Sequence, residues 1–442
     1  MEAVFLSRVQ FALTAGFHFI FPPLTFGLGL IILIYETLYI KTDKEIYKNI
    51  SQFIIKILAL VFAVGVATGI VLEFSFGTNW STYSRYVGDI FGAPLAAEGV
   101  LAFFLESVFI GVLLFGRNKI SKKAYWAAAF LVFFASHLSG LWIIIANSWM
   151  QTPAGFAIEG GRAVLKDFFA AAINHSTAQR YFHTIVAGWM SGSLLVAGIS
   201  SWYLLKRRET EYAKSMLKLS LTVFIISSFL QFATGHMHAV QVAKTQPIKM
   251  AAIEGLWETT NGAGLSLFGL PDESKKTTHV DIRIPKLLSL MLYFNPNAEV
   301  KGLNDFPEEL HPPVAITAHT YHIMIALASV FGLISMIAII LFLRKKIYDS
   351  DWFLKILLFA IPLPLISNEM GWMVAEIGRQ PWVVYGVLKT SDAASVVVPA
   401  WQILATIIMF TILYLILAVF FIKFLVGLIK KGPEKVISTE GH

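Results

Sequence analysis

Trp372, Glu376 and Arg379 follow one another at helical spacing within the stretch 371–382, which closes a long apolar run. Positions i, i+4 and i+7 share one face of a helix, so we expect these side chains to lie together. Gln380 precedes a proline, which favours extended geometry, and the helix is expected to end there. A carboxylate in a membrane span is costly unless its charge is compensated. Two interpretations stay open: a Glu376–Arg379 pair on the helix surface, or a Glu376 that ligates a metal centre while Arg379 pairs with that centre's anionic groups.

His18 lies just before the pair Pro22-Pro23. Pro22 cannot donate a hydrogen bond to the carbonyl of residue 18, and Pro23 cannot donate to that of residue 19. The backbone is therefore expected to be irregular at membrane depth, which is tolerated only inside protein or beside a cofactor. His18 is either a hydrogen-bonded histidine at a kink or a haem ligand.

His183 begins one apolar segment, and Met324 lies about two turns into another. A lone methionine in an apolar helix usually serves packing. A histidine and a methionine together, however, form an axial pair for a low-spin, electron-transferring haem. In the orientation argued below, His18, His183, Met324 and Glu376 all fall towards the outer side of the membrane. This convergence favours iron ligation for each of them.

Glu98 and Glu106 lie within a third apolar segment. Eight residues of helix give about 12 Å of rise, so the two carboxylates would stand as successive steps of an intramembrane proton relay. The alternative is a structural pair satisfied by its neighbours. Ser107, Ser139 and His137 would extend a relay, but helix packing and satisfied polar groups are the favoured interpretation for these three.

Lys249 and Glu254 belong to the segment 246–254, outside the apolar runs. Glu254 is a candidate acceptor for a proton from a hydroxyl donor, with Lys249 steadying its charge. From the residues alone, a solvated amphipathic helix is the ordinary interpretation of this segment.

The composition excludes several classes of protein. Of 442 residues, 56% are hydrophobic and only 14% charged, which is typical of a polytopic membrane protein. The absence of cysteine excludes thiolate-bound iron–sulfur clusters, so metal ligands must come from His, Met, Asp or Glu. His236 and His238 diverge on a helix and are treated as non-ligands. No adjacent His-His pair occurs, which argues against the haem–copper pattern.

Nine apolar segments, each of about 20 residues or more, are long enough to cross a bilayer. They cover 17–40, 52–76, 92–115, 124–146, 183–205, 217–238, 316–343, 352–376 and 400–428. The fold class predicted is an all-α polytopic membrane protein. Its parts are a first group of six helices (1–238), an external loop (239–315), and three further helices with a tail (316–442).

Basic residues set the predicted orientation. They follow the odd-numbered segments, at Lys41, Lys44 and Lys48; Arg117, Lys119, Lys122 and Lys123; Lys206, Arg207, Arg208 and Lys214; Arg344, Lys345 and Lys346; and Lys430, Lys431 and Lys435. The positive-inside rule then places the N-terminus outside and the C-terminus in the cytoplasm. The proline-rich loop 239–315 lies outside and is expected to be functional or disordered. Residues 1–10 show no basic n-region or cleavage site, so we expect no removable signal peptide.

The chain resembles subunit I of the cytochrome bd-type quinol oxidases of the short quinol-loop type, over essentially its whole length. The resemblance is carried by five stretches, 6–18, 88–106, 147–151, 249–259 and 371–382. The last of these, Gly-Trp-Met-Val-Ala-Glu-Ile-Gly-Arg-Gln-Pro-Trp, is the most specific.

The resemblance implies two haems b and one haem d. It places a low-spin haem between His183 and Met324, and a high-spin pair ligated through His18 and Glu376. It also places Arg8, Trp372 and Arg379 at the cofactors, and Lys249 and Glu254 in a quinol-oxidising loop. Many members carry Arg where this chain has His322, two residues before the ligating methionine. Such a histidine would contact a propionate, alter the low-spin haem potential or compete as a ligand.

The function implied is a respiratory oxidase that oxidises quinol at the outer face. It reduces O2 to water with cytoplasmic protons that arrive through Glu106 and Glu98, and it charges the membrane without pumping. The expected partners are a homologous second membrane subunit, a small single-helix subunit, quinol and O2, in a prokaryotic plasma membrane and with no nucleic acid. The alternatives are a related oxidase with only b-type haems and, in a different class, a cofactor-free transporter with buried carboxylates.

Overall fold

A computed structural model describes residues 2–433, and the predicted tail from residue 434, with Lys435, lies outside the described residues. The α-helices are α1 (Glu2–Phe19), α2 (Phe21–Thr42), α3 (Glu45–Gly77), α4 (Ser81–Ala97), α5 (Phe104–Phe115), α6 (Lys122–Gln151), α7 (Phe168–Ala172), α8 (Thr177–Leu205), α9 (Thr210–Thr245), α10 (Pro247–Glu254), α11 (Leu287–Tyr293), α12 (Val314–Leu343), α13 (Asp351–Phe359), α14 (Leu363–Ile377), α15 (Thr390–Ala393) and α16 (Ala400–Lys431).

Short strands and turns complete the chain. The strands are β1 (Phe156–Glu159), β2 (Arg162–Leu165), β3 (Thr260–Asn261), β4 (Leu265–Asp272), β5 (Thr277–Ile284), β6 (Glu299–Val300), β7 (Trp382–Val384) and β8 (Leu388–Lys389). They form four antiparallel pairs, β1–β2, β3–β6, β4–β5 and β7–β8. A π-helical turn (Glu98–Phe103) joins α4 to α5, and two 3₁₀ turns cover Leu303–Asp305 and Glu308–Leu310.

Eight helical segments within residues 2–433 are long and apolar enough to cross a membrane. They are α1 with α2, α3, α6, α8, α9, α12, α13 with α14, and α16. The all-α membrane architecture is confirmed, and these segments contain eight of the nine predicted spans. The other predicted span, 92–115, falls on α4, the π-helical turn and α5, of which α5 is a shorter apolar helix. The count of nine and the orientation remain predictions.

The backbone breaks where the proline pair predicts. Helix α1 ends at Phe19 and α2 begins at Phe21, so His18 lies in the last turn of α1. Pro22 and Pro23 occupy the first turn of α2. Backbone N–H groups in the first turn have no acceptor within the helix, so proline removes no helical hydrogen bond there. The break thus places His18 at a helix end inside a candidate span.

Helices α2, α3 and α8 build the largest apolar core, with α6 packed against it. The closest approach is between α2 and α8, where a Cβ on Gly27 would stand 2.6 Å from the Gly192 Cα. Only glycine fits at this crossing, and small residues are what allow membrane helices to pack closely. The crossing holds α2 and α8 close together, and the helices that carry the candidate site pack around this pair.

The loop predicted over 239–315 begins later than expected and is folded. Helix α9 continues to Thr245, past the predicted boundary at 238. The segment after it contains α10, the β4–β5 hairpin, α11 and the β3–β6 pair. All residues of α10 from Ile248 to Glu254 are buried. This connection is therefore a packed cap on the helices.

A buried ion pair ties together the end of the helices opposite this cap. Glu36 on α2 is 0% exposed, and Arg117, just after α5, donates to both of its oxygens. Ser51 on α3 donates a third hydrogen bond to the carboxylate, at 2.5 Å. The Arg117 guanidinium also lies 3.7 Å from the Tyr125 ring centroid on α6. The Glu36–Arg117 pair thereby joins α2, α3, the end of α5 and α6.

Replacing Glu36 with Gln should lower the stability of the assembled protein by about 3–5 kcal/mol, because it leaves a buried guanidinium uncompensated. The measurement is the thermal midpoint of unfolding in detergent, followed by circular dichroism. The matched control is Asp43→Asn, which removes an exposed ion pair with Lys122 and should cost no more than about 1 kcal/mol. Equal midpoints for the two variants would contradict the assignment.

Candidate functional site

Glu376 lies one residue before the end of α14, half-buried among polar side chains. The Asn147 amide donates to its Oε1 at 2.9 Å, and the Gln151 amide nitrogen lies 3.5 Å from the same oxygen. Arg379 donates to Oε2 and is itself only 3% exposed. The interpretation of Glu376 and Arg379 as a surface pair is therefore wrong. Trp372 lies one turn earlier on the same helix and is half-buried.

Three buried cations surround this one carboxylate. Arg180 on α8 donates to the Asn147 carbonyl oxygen, and Arg379 follows α14. The Lys249 ammonium on α10 donates to Gln151 Oε1 at 2.6 Å and to the backbone carbonyl of residue 375 at 3.1 Å. Arg180, Lys249 and Arg379 are 9%, 3% and 3% exposed, respectively. We call these three residues the cation cluster.

The cation cluster carries more positive charge than the described residues neutralise. Burial, with Arg180 and Arg379 acting in the same direction, holds the pKa of the Lys249 ammonium well below its usual range, and Glu376 partly opposes this. Buried charges persist only when they are paired and hydrogen-bonded. The arrangement thus favours the approach of a further anionic group.

Unpartnered N–H groups show where that anion would bind. Arg379 Nε and Nη1 and Arg180 Nε are buried and have no hydrogen-bond partner among the described residues. Buried guanidinium groups normally satisfy their donors, often in pairs on a carboxylate. The donor set therefore fits carboxylates such as the propionates of a haem.

His18 is oriented through Thr68 on α3. Its Nδ1 lies 3.0 Å from the Thr68 hydroxyl oxygen, and that hydroxyl donates to the carbonyl of Val64 at 3.0 Å. A threonine hydroxyl whose proton is directed to a backbone carbonyl of its own helix can accept from the Nδ1–H tautomer of His18. This tautomer leaves Nε2 unprotonated, as an iron ligand requires.

His183 on α8 has a similar partner. Its Nδ1 lies 3.3 Å from the Thr234 hydroxyl of α9, and the Gln231 amide nitrogen is 3.2 Å from each ring nitrogen. His238, which we treated as a non-ligand, faces this ring with centroids 5.6 Å apart, whereas His236 faces Phe294. The expected divergence of these two histidines is present.

Met324 on α12 faces α14, because a Cβ on Gly371 would stand 3.0 Å from its sulfur. His322 is turned elsewhere. Its Nδ1 lies 2.7 Å from the Ala318 carbonyl, and its Nε2 lies 3.2 Å from the Ser266 carbonyl of the cap. Both ring nitrogens of His322 are therefore engaged with backbone oxygens.

Glycines stand opposite the other two candidate ligands as well. A Cβ on Gly69 would lie 3.1 Å from His18 Cε1, and one on Gly235 would lie 3.4 Å from His183 Cε1. A larger residue at these positions would press on the candidate ligand. Glycine at these three positions lets each candidate ligand lie directly against the neighbouring helix.

Helix α14 approaches the elements that carry the other three candidate ligands. Glu376 binds Asn147, which binds Arg180, three residues before His183. Met324 touches α14 at Gly371. His18 lies two residues after Gly16, where a Cβ would be 3.5 Å from the Glu369 carboxylate of α14. Arg8 is not brought to this group: it is exposed on α1, about 15 Å of helical rise from His18.

The two carboxylates of the predicted relay flank the π-helical turn. Glu98 is its first residue and accepts from Ser139 Oγ of α6 at 2.8 Å. Glu106 follows in α5, 6% exposed, and its Oε1 has no partner among the described residues. The Ser107 hydroxyl donates to the Phe103 carbonyl at 2.7 Å, as a packing role predicts. Single π-helical turns occur frequently at functional sites.

His137 also has a structural environment. Its Nδ1 lies 2.7 Å from the Phe133 carbonyl, and its Nε2 accepts from Trp189 at 3.0 Å. Among the three side chains considered for extending the relay, only Ser139 contacts one of the carboxylates.

Lys249 and Glu254 lie on one short helix but face different neighbours. Glu254 is 2% exposed, and its Oε2 accepts from the Ser266 amide at 3.0 Å. Burial raises the pKa of the Glu254 carboxyl to about 7, while the Ser266 amide and then Arg283 act to lower it. The interpretation of this segment as a solvated helix is therefore wrong. Lys249 belongs to the cation cluster, and the cation acting on Glu254 is Arg283.

Sequence reasoning missed the residues that connect these groups. Asn147 and Gln151 lie in the stretch 147–151, which carries part of the resemblance, but their spacing alone predicts no role for them. Arg180 was not considered. The available signal was a charged residue at the start of a membrane span, three positions before His183, where burial demands a partner.

Comparisons with known proteins show the family to which this chain is similar. The family described as cytochrome bd terminal oxidase subunit I matches residues 6–433. Cytochrome bd ubiquinol oxidase subunit 1 of Bacillus subtilis (strain 168) is 38% identical over 98% of this chain and 95% of that protein. Cytochrome bd-II ubiquinol oxidase subunit 1 of Escherichia coli (strain K12) is 33% identical over 99% and 98%. The structure of bd oxidase from Geobacillus thermodenitrificans superposes with a TM-score of 0.92 at 28% identity, covering 98% of this chain and 99% of that chain.

Proposed function

Since the chain belongs to the cytochrome bd terminal oxidase subunit I family, we propose that it oxidises a membrane quinol at the outer face with Glu254 and delivers cytoplasmic protons through Glu106 and Glu98. Membership makes it a multi-pass plasma-membrane subunit of a terminal respiratory oxidase, with haem cofactors and a second subunit. Neither the transporter nor the oxidase with only b-type haems is favoured by these comparisons.

The observation that carries the proposal is the cation cluster around Glu376. Its unpartnered guanidinium N–H groups suit haem propionates, and the elements that carry the candidate ligands approach α14. His183 and Met324 would hold a low-spin haem b, and His18 and Glu376 would hold a second haem b and a haem d. Bound haems supply one-electron transfer and the iron at which O2 is reduced to water. Arg379 and Arg180 would orient these haems by pairing with their propionates.

Quinol oxidation needs a base at the outer face, and Glu254 is that base. Its ionised carboxylate accepts a proton from a quinol hydroxyl and then releases it to the outside. The burial of residues 248 to 254 limits the access of bulk water to this exchange. Lys249 holds α10 against α6 and α14 through Gln151 and the backbone carbonyl of residue 375.

Protons for water come from the other side of the membrane. Glu106 takes a proton from the cytoplasmic side and passes it to Glu98, which Ser139 orients. Release outside and uptake inside charge the membrane without a pump. A small single-helix subunit completes the proposed assembly beside the second subunit.

The experiment that tests the cofactors is a reduced-minus-oxidised visible spectrum of the purified complex. We expect b-type bands together with a far-red chlorin band. Met324→Leu should remove the low-spin b signature and leave the chlorin band, whereas Met336→Leu, exposed on the same helix, should change neither. A protein without Soret absorption would overturn the proposal, and a missing far-red band would show that haem d is replaced by haem b.

Replacing Glu106 with Gln should lower O2 consumption about a hundredfold, because a positioned proton carrier is lost. Haem reduction by quinol in the absence of O2 should continue. Ser107→Ala is the matched control, since that hydroxyl serves only its own helix. Wild-type turnover in Glu106→Gln would remove this residue from the relay.

The quinol-oxidising rate should depend on pH through Glu254. With a pKa of about 7, the carboxyl is protonated and inactive as a base at low pH. The kcat/KM for quinol should therefore rise about tenfold per unit below pH 7 and level off above it. Glu254→Gln should lower the rate of quinol oxidation and remove the rise of kcat/KM with pH below pH 7. An unchanged pH profile in that variant would exclude Glu254 as the base.

A further inference from the structure

Arg283, at the end of the β4–β5 hairpin, reaches the C-terminal end of α10. Its Nη2 donates to the carbonyl of Glu254 at 2.8 Å and lies 3.3 Å from that of Gly255. Its Nη1 donates to the carbonyl of Gly264 at 3.3 Å. One guanidinium thus joins the last helical residue, the residue after it and the start of the hairpin.

These carbonyls need such a donor. The last carbonyls of a helix have no partner within the helix, and a cation there also faces the negative end of the helix dipole. Gly255 ends α10 at φ +56°, which turns the chain back towards the hairpin. The Thr278 hydroxyl adds a second donor to the Gly255 carbonyl, at 2.7 Å.

The guanidinium itself is held in place. Its Nε donates to Asp281 Oδ2 at 2.7 Å, within the same strand. The Arg283 and Asp281 side chains are 19% and 27% exposed, which is more enclosed than an ordinary surface pair. A surface ion pair would need only this one contact. The two contacts with the carbonyls of Glu254 and Gly255 show that Arg283 also acts on the end of α10.

We propose that Arg283 is a positioning residue that fixes the Glu254 carboxylate for quinol oxidation by clamping the end of α10 to the hairpin. The inference rests on the proposed function, in which Glu254 is the quinol-oxidising base. It assigns to Arg283 the charge-steadying role that the sequence suggested for Lys249. The hairpin thereby becomes part of the catalytic apparatus, since it holds both the helix end and the Ser266 amide that binds the carboxylate.

The groups that face Glu254 define what removal of Arg283 would change. From the hairpin these are the Ser266 amide, Arg283 and Asp281, and from α12 it is Tyr321. His322 is one step removed, through the Ser266 carbonyl. Arg283 favours the ionised carboxylate and Asp281 opposes it. Loss of the guanidinium alone therefore leaves the Ser266 amide as the group that favours the ionised carboxylate against burial and Asp281.

The test compares Arg283→Gln, Arg283→Lys and Asp281→Asn in the intact oxidase complex, by the pH profile of kcat/KM and by the KM for quinol. Arg283→Gln should move the acid limb to higher pH by roughly one unit and raise KM about tenfold. Arg283→Lys keeps the positive charge but loses the several N–H donors of the guanidinium. The KM for quinol should therefore rise, while the acid limb of the pH profile should shift little. Asp281→Asn should move the limb slightly to lower pH. Lys276→Gln, which removes an exposed pair with Glu308, is the control.

The haem spectrum and haem reduction by dithionite show whether each variant is assembled. Assembled Arg283→Gln with a wild-type profile and KM would overturn the inference. If Arg283→Gln does not assemble, Arg283→Lys is the deciding variant. A wild-type KM for quinol in Arg283→Lys would then overturn the inference. Full quinol oxidation in Glu254→Gln would instead overturn the proposed function, whereas loss of activity in Glu254→Gln with normal Arg283 variants would overturn only the role of Arg283.

Discussion

The surplus of buried positive charge around Glu376 is the constraint on which the site depends. Arg180, Lys249 and Arg379 come from three separate parts of the chain and meet at one carboxylate. Such a group would be strongly destabilising in a membrane protein without further anions, because each buried cation loses its hydration. The chain therefore folds into a site whose buried cations outnumber its carboxylate, an arrangement that suits anionic cofactors. The helices that supply the cations are the ones that also carry or contact the candidate ligands.

Much of this could be predicted from local sequence. The apolar segments follow from composition, and the break beside His18 follows from Pro22 and Pro23, since both are properties of short stretches. The spacing of Glu376 and Arg379 predicted their contact but not their burial, because burial depends on α6, α8 and α10, which are distant in the sequence. The partner of Lys249 could not be predicted for the same reason. A five-residue separation on α10 points its two charged side chains at different neighbours, and only the tertiary packing decides which.

The segment between α9 and α12 shows how an apparently irregular stretch becomes a precise structure. Its prolines and polar residues suggested a functional or disordered loop, yet α10 is buried over seven consecutive positions. Packing of this kind needs a covering layer, and the hairpin supplies it from residues that have no membrane-spanning character. Gly255 makes the reversal between helix and hairpin at a positive φ, which costs a glycine little. The fold of the segment therefore depends on contacts between its own parts as much as on the helices beneath.

Helix α10 gives the two chemical sites a shared element. Glu254 at one end faces the hairpin, and Lys249, about 7.5 Å of rise away, donates to Gln151 and to the backbone beside Glu376. The helix is short and buried and has hydrogen bonds at both ends, so a shift of the helix as a whole would move both charged groups. Glu254 and the candidate ligand Glu376 are thus linked through one short, buried helix by the contacts of Lys249 with Gln151 and with the backbone of residue 375, which is a reason for this segment to be packed rather than solvated.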